Sequence, residues 1–160
     1  MINPHPKRIG YHMSNWAFSS NITNCSTPDD LFKLLDSEFH FTLDVCANEY
    51  NFKVKKYFDE KTNGIAQSWK DNICWMNPPY GRQLPIWIEK AWLEKMINKV
   101  LTVALVPCRP DTNWFWKWCI NEEIRLIKGR LRFKYGLWDG TPKEHSFGAP
   151  FPSMIVVFKP

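Results

Sequence analysis

The consecutive residues Asn77, Pro78, Pro79 and Tyr80 have the types that methyl transfer to an aromatic amino group requires. Resonance makes such a nitrogen a poor nucleophile, so acceptors in the plane of its hydrogens would favour the positive charge that grows during attack. The Asn77 side-chain oxygen and the Pro78 carbonyl can be those acceptors, because two prolines fix the loop. Tyr80 offers a ring on which a base that has left the duplex can stack. The alternative is a structural Asn-Pro turn.

The elements around this segment predict a loop at the carboxyl end of a strand. Residues 72–76 form a short apolar run that stops at the two prolines, which cannot continue a ladder. Apolar residues at helical spacing follow over 85–98. The β-branched run 100–106 is typical of a strand buried on both faces of a parallel sheet.

The other elements complete an α/β pattern, which indicates a mostly parallel sheet with an antiparallel edge pair. We expect that pair to be formed by the last two strands. The predicted elements are an irregular arm (1–26), a helix with Thr27 as N-cap and Pro28 at its first position, strands at 39–46 and 53–58, a helix at 111–120, and strands at 123–127, 130–135 and 153–158.

Length and composition favour one domain over residues 1–160, because 160 residues do not hold two full cores. No apolar run suits a membrane span, and the start lacks the pattern of a signal peptide. The 5 cysteines form no C-x-x-C and the 4 histidines show no metal spacing, so we expect a cytoplasmic protein without metal. The 9 tryptophans and the +5 charge fit nucleic-acid binding, or simply a small core filled by large rings.

Several blocks in one order resemble the bacteriophage DNA N-6-adenine methyltransferase (Dam) family. Asn77-Pro78-Pro79-Tyr80 matches the NPPY motif of S-adenosylmethionine-dependent amino methyltransferases, and the likeness covers roughly residues 24–158. The further blocks are Thr27-Pro28-x-x-Leu31-Phe32, Leu43-Asp44-Val45-Cys46-Ala47, residues 64–69, Trp75-Met76, Gly81-Arg82, Asp111-Thr112-x-Trp114-Phe115, Gly129-Arg130-Leu131-x-Phe133 and Ala149-Pro150-Phe151-Pro152-Ser153.

The resemblance implies a Rossmann-like class I methyltransferase sheet with helices on both faces, and adenine N6 in DNA as the methyl acceptor. S-adenosylmethionine would lie over the carboxyl ends of the first strands. Asp44, with Cys46 and Ala47, matches the acidic strand end that faces this cofactor, and Thr27 and Pro28 match a segment beside its methionine end. A glycine-rich turn after the first strand is typical of methyltransferases but absent here, and glycine is the residue that lets a backbone approach a ligand closely. Independently of this, turn capping is a simpler alternative role for Asp44, and helix capping for Thr27 and Pro28.

Basic and aromatic residues supply candidate DNA contacts. Arg130, Arg132 and Lys134 alternate with apolar residues, so their charges would lie about 7 Å apart along one strand face, near the spacing of phosphates. Such a row also protects an edge strand from aggregation. The other candidates are Tyr80 and Arg82 in and after the motif, and Arg109 and Trp114 after the buried strand, although Trp114 suits core packing equally.

Three functions compete at this stage. The first is methylation of adenine in DNA, by a monomer or a weak homodimer. The second keeps the chemistry but changes the acceptor to protein glutamine, an RNA base or cytosine N4. The third is a nucleic-acid-binding module without catalysis, which the missing glycine turn favours and the intact NPPY string opposes.

Overall fold

The computed structural model describes residues 25–136, 142–143 and 148–160. Most of the predicted arm, residues 1–24, lies outside that part of the chain, whereas its last two residues form a strand rather than irregular structure. The elements are β1 (Cys25–Ser26), α1 (Asp29–Phe39), β2 (Leu43–Asp44), β3 (Ile73–Met76), α2 (Leu84–Asn98), β4 (Leu101–Pro107), a π-helical turn (Phe115–Cys119), β5 (Glu123–Leu126), β6 (Lys134–Gly136), β7 (Pro142–Lys143) and β8 (Ser153–Phe158).

The protein has a mixed α/β fold built on an open five-stranded sheet of order β2-β3-β4-β8-β5. β2, β3 and β4 pair in parallel, while β8 is antiparallel to both β4 and β5. β5 therefore runs in the same direction as the first three strands, and β8 alone opposes them. The predicted mostly parallel sheet is confirmed.

The prediction that the last two strands form the antiparallel edge pair is wrong. β8 lies inside the sheet, and its edge partner is β5, with Arg125 opposite Ile155. β6 instead pairs with β1 and β7 in a separate three-stranded sheet. The reason is burial: β8 is buried at every residue, which requires neighbours on both sides, whereas residues 130–135 alternate between basic and apolar side chains.

Successive residues of the central strands contribute to two separate apolar clusters, as the period of a strand requires. One cluster contains Phe32 and Leu35 of α1, and the other contains Trp87 and Ile88 of α2. The strand residues that pack with α1 are Trp75, Val103, Leu105, Ile155 and Val157, and those that pack with α2 are Cys74, Met76, Ala104, Val106, Met154, Val156 and Phe158. Burying each valine, leucine, isoleucine, phenylalanine or methionine side chain of these clusters contributes roughly 1.5–3 kcal/mol.

Three local predictions need correction. The first strand is shorter than the predicted 39–46, because α1 extends to Phe39 and ends where His40 adopts a left-handed conformation with φ 57°. Residues 53–58 form only a single bridge, between Tyr57 and Asp44. The predicted helix 111–120 contains a π-helical turn, Phe115–Cys119, which closes with the Ile120 N–H donating to the Phe115 carbonyl at 3.0 Å.

The start of α1 also differs from the prediction. Pro28, not Thr27, is the N-cap, and no side chain caps the helix. Acidic Asp29 and Asp30 lie in the first turn, where the helix dipole favours them. The Thr27 side chain therefore makes its contact elsewhere.

The carboxyl ends of β2, β3 and β4 lie at one edge of the sheet. The segments that leave this edge start at Val45, Asn77 and Cys108. The antiparallel β8 enters at the same edge, and the Cys108 N–H donates to the Pro152 carbonyl at 2.8 Å. This edge positions the candidate site. Within the described residues, no helix has the length and apolar character to cross a membrane.

Candidate active site

The loop after β3 carries Asn77, Pro78, Pro79 and Tyr80, as predicted from the sequence. Pro78 is buried and Pro79 is exposed, while Asn77 and Tyr80 are half-buried. Gly81 turns the chain with φ 109°, and no atom lies within 4 Å of where a Cβ would be. The two prolines and this turn hold the loop between the end of β3 and the start of α2.

The Asn77 side chain is bonded at both of its polar atoms. Its Nδ2 donates to Thr27 Oγ1 at 3.2 Å, and its Oδ1 accepts from the Tyr80 hydroxyl at 3.2 Å. The Asn77 backbone N–H lies close to the Cys46 sulfur and acts to lower the pKa of that thiol, against the larger effect of burial. No described residue donates a backbone hydrogen bond to the Pro78 carbonyl. Both candidate acceptors therefore lie on one loop: the Pro78 carbonyl accepts no backbone hydrogen bond from the described residues, and Asn77 Oδ1 accepts from the Tyr80 hydroxyl.

Two phenylalanines pack against the Tyr80 ring. The ring centroid lies 6.2 Å from that of Phe133 and 5.4 Å from that of Phe151, and both contacts are edge-to-face. The Tyr80 hydroxyl lies 3.5 Å from the Leu105 carbonyl. Sequence reasoning missed Phe133 and Phe151 as parts of the site. The alternation over residues 130–135 was a signal that Phe133 turns inward, and both phenylalanines stand in the blocks that resemble the family.

Asp44 lies at the end of β2 and is only 2% exposed. Its carboxylate accepts hydrogen bonds from the backbone N–H groups of Cys46 at 3.4 Å and Lys53 at 3.1 Å. Burial raises the pKa of Asp44 from 3.8 to about 7, although these two hydrogen bonds act in the opposite direction. Asp44 thus organises the following loop, and it is a buried carboxylate rather than a solvated one.

Side-chain amides build the turn that usually needs glycine. Asn48 Oδ1 accepts from the N–H groups of Tyr50 at 2.9 Å and Asn51 at 3.1 Å, and Asn51 Oδ1 accepts from the Asn48 N–H at 2.7 Å. Asparagine forms such turns because its side chain imitates a backbone carbonyl. The structure thereby explains how this chain turns after β2 without a glycine.

Cys46 and Ala47 are half-buried at the start of this turn. The Ala47 N–H donates to the Phe58 carbonyl at 2.9 Å. Burial, with the nearby Asp44 charge, raises the pKa of the Cys46 thiol well above its ordinary value, so this thiol stays protonated and is a poor nucleophile. The Cys46 sulfur lies next to the backbone at the start of the loop after β3.

Comparison with known proteins decides the family. The model of the family described as DNA N-6-adenine-methyltransferase (Dam) matches residues 20–160. This chain belongs to the Dam family. It is also similar to the DNA N-6-adenine-methyltransferase of Haemophilus phage HP1 (strain HP1c1), with 29% identity over 140 residues that cover 84% of this chain and 78% of the phage protein. The family resemblance inferred from the sequence blocks is confirmed.

In this Dam-family chain some predicted site residues lie beside Asn77, whereas Trp114 lies apart from them in the core. Thr27 and Cys46 both contact Asn77, so two predicted cofactor segments meet the NPPY loop. Trp114 is 8% exposed and packs in the cluster that contains α2, whereas Tyr80 packs against the cluster that contains α1. The structure therefore places Trp114 in the core, and its role in binding a base stays a prediction.

The predicted DNA contacts of the Dam-family chain are mostly exposed. Arg82, Arg130 and Arg132 are exposed. The backbone of Arg132 forms an isolated antiparallel β-bridge with that of Gly148. Arg109 forms a bidentate ion pair with Asp111 at 2.8 Å, which raises the pKa of Arg109. The backbone of Lys134 belongs to β6, and its side chain lies outside the described structure. Among the described residues, no group of histidine, cysteine and acidic side chains could hold a metal ion.

Proposed function

We propose that this protein transfers a methyl group from S-adenosylmethionine to the exocyclic N6 amino group of adenine in DNA. Its membership of the Dam family and its similarity to the phage HP1 enzyme support the reaction. The observation that carries the site assignment is the hydrogen bond between Asn77 and Thr27, with the Cys46 sulfur close to the Asn77 backbone. The acceptor oxygens then lie next to the segments expected to hold the methyl donor, as direct transfer requires.

The sheet supports a Rossmann-like methyltransferase fold. Such folds bind ligands outside the carboxyl ends of parallel strands, and here Asp44 and Asn77 lie at the ends of two adjacent parallel strands. Alternate residues of the central strands belong to two separate clusters, one containing residues of α1 and the other residues of α2. This separation supports helices on both faces of the sheet.

The residues at this edge fit S-adenosylmethionine, which would supply an electrophilic methyl group. Asp44, Cys46, Ala47 and Pro28 would hold it, while the Thr27 side chain is bonded to Asn77. Asp44 is a carboxylate buried among apolar groups, so its charged form gains from a neighbouring cation, and the cofactor carries an ammonium and a sulfonium. The Asx turn at Asn48 replaces the glycine turn in shaping the backbone here.

The NPPY loop would bind and polarise the target amine. Adenine's N6 hydrogens would donate to Asn77 Oδ1 and to the Pro78 carbonyl, which favours the tetrahedral nitrogen that attack requires. The Tyr80 hydroxyl must release Asn77 Oδ1 for this, and the Tyr80 ring would then stack on the base. The proton lost from the methylated amine passes to water. Arg82, Arg130 and Arg132 would contact the phosphate backbone, and each such contact makes binding weaker as salt rises.

The test measures transfer of a tritiated methyl group to DNA, RNA and protein in parallel. We expect incorporation into DNA, as N6-methyladenine after digestion. Asn77→Ala removes one acceptor and should lower kcat by about 100- to 1,000-fold, because preorganised polar groups of this kind contribute that much. Asn113→Ala, at an exposed asparagine, is the matched control and should keep the wild-type rate.

Each other outcome has a definite meaning. Incorporation into RNA, protein or cytosine would replace the proposed acceptor while keeping the chemistry. No incorporation into any acceptor, with DNA binding retained, would establish a binding module. A near wild-type rate for Asn77→Ala would refute the assignment of the acceptor oxygen.

A further inference from the structure

We propose that Thr27 is a positioning residue, which orients the acceptor amide of Asn77 through the bond between Thr27 Oγ1 and Asn77 Nδ2. The family resemblance assigns Thr27 to the cofactor, and the sequence suggests a helix cap. The structure shows no side-chain cap on α1, a Thr27 residue that is almost fully buried (1% exposed), and this 3.2 Å bond. The inference rests on the proposed function, because it assumes that Asn77 Oδ1 accepts a hydrogen bond from the target amine.

The need for such a residue follows from the shape of an amide. The Asn77 side chain has an acceptor on one side and a donor on the other, and a rotation by half a turn exchanges them. A target amine offers N–H donors to the loop, so Oδ1 must face it. Nδ2 must then face Thr27, where the hydroxyl oxygen accepts. When Asn77 Oδ1 faces the target amine, an Nδ2 hydrogen of Asn77 is therefore still hydrogen-bonded, because it donates to Thr27 Oγ1.

The Tyr80 hydroxyl cannot perform this task alone. The Tyr80 hydroxyl contacts Asn77 Oδ1, which is the atom that the target amine must reach. Tyr80 must therefore move aside when the base arrives. Thr27 contacts the other polar atom of the amide, remains buried and adjoins the fixed start of α1.

Two substitutions separate this role from packing. Thr27→Val keeps the branched shape and removes the hydroxyl, whereas Thr27→Ser keeps the hydroxyl and removes the methyl group. If Thr27 only fills space, valine is the better replacement. If Thr27 positions Asn77, serine is the better replacement, because it retains the acceptor for Nδ2.

We expect Thr27→Val to lower kcat about 10- to 100-fold, the effect of leaving a partly buried donor without its partner. Thr27→Ser should stay within about threefold of wild type. The dissociation constant of S-adenosylmethionine, measured by equilibrium dialysis, should stay within about twofold for both variants. A valine variant at least as fast as the serine variant would overturn the proposal. So would a loss that appears entirely in cofactor affinity, which would make Thr27 a cofactor ligand.

Two further measurements complete the test. On an Asn77→Ala background, Thr27→Val should cause no further loss of kcat, because residues that act as a unit are not additive. In the free protein, the side-chain NH2 resonances of Asn77, assigned by their loss in Asn77→Ala, should shift in Thr27→Val and return close to wild type in Thr27→Ser. Unmoved resonances would overturn the proposal even if the wild-type protein proved inactive on DNA, an outcome that would refute the proposed function separately.

Discussion

The loops that follow β2 and β3 lie side by side at the same edge of the sheet but hold their shape by different means. The loop after β2 depends on hydrogen bonds to the side chains of Asp44 and Asn48. The loop after β3 depends on the fixed backbone of Pro78 and Pro79. A loop held by a buried carboxylate responds to pH, whereas a loop held by proline rings does not. The proposed cofactor side of the site is therefore expected to be adaptable, and the proposed base side to be preorganised.

The largest expected effect concerns the carboxylate under the first loop. The pKa of Asp44 is raised from 3.8 to about 7, so the folded state keeps a proton that the unfolded state loses. Stability from this group is fully present below the unfolded pKa and decreases as pH rises toward 7, by about 1.4 kcal/mol per pH unit. An uncharged asparagine at this position would lack this slope. We therefore expect the unfolding free energy of Asp44→Asn, minus that of wild type, to increase by roughly 3–4 kcal/mol between pH 4 and 7.5.

Urea unfolding of wild type and Asp44→Asn between pH 4 and 7.5 measures that difference. The other titrating groups are common to both proteins, so their contributions cancel in the difference. A constant offset is expected as well, because asparagine presents a donor where Asp44 accepts from a backbone N–H. Asp59→Asn is the control: hydrogen bonds from Thr62 lower the pKa of Asp59, so its slope must have the opposite sign and lie below about pH 4. A difference that does not change with pH would show that Asp44 is not a buried titrating group.

The next effect concerns the ring at the end of the second loop. Tyr80→Ala removes the ring on which we propose that the base stacks, and it should lower kcat/KM for DNA about 10- to 100-fold, in line with roughly 1–3 kcal/mol for a stacked base. Tyr80→Phe keeps the ring and its contacts with Phe133 and Phe151, and should stay within a few-fold of wild type. Cofactor affinity should change in neither variant. If phenylalanine were as poor as alanine, the hydroxyl rather than the ring would be the important group.

The contrast between the loops also shows what a sequence can predict. β8 was predicted at 153–158, as observed, and the NPPY loop was placed correctly, because apolar runs and consecutive prolines are local signals. The position of β8 inside the sheet was not predictable in that way, since it depends on which strands it pairs with. The pattern that marks 130–135 as a half-exposed strand says nothing about its partner.

The site shows the same division between local and distant information. Asn77 and Tyr80 could be placed on the loop after a strand from four adjacent residues. The bond from Asn77 to Thr27 joins residues 50 positions apart, and the packing of Tyr80 on Phe151 depends on the entry of β8 into the sheet. Asp44 was correctly placed at a strand end, but its burial depends on a loop that folds back to Lys53. Local patterns therefore identify the groups, and long-range packing decides their environment.

The smallest expected effect compares the loops directly by weakening each at an outer position. Pro79→Ala should reduce the unfolding free energy by about 0.4–1 kcal/mol, because a proline in a compatible conformation limits the unfolded chain. Asn48→Ala removes two turn hydrogen bonds and should cost about 1–2 kcal/mol. The functional consequences should differ in kind: Asn48→Ala should weaken binding of S-adenosylmethionine, while Pro79→Ala should lower kcat without changing that binding. Identical profiles for the two variants would mean that one shared structure, rather than two separately stabilised loops, forms this edge of the sheet.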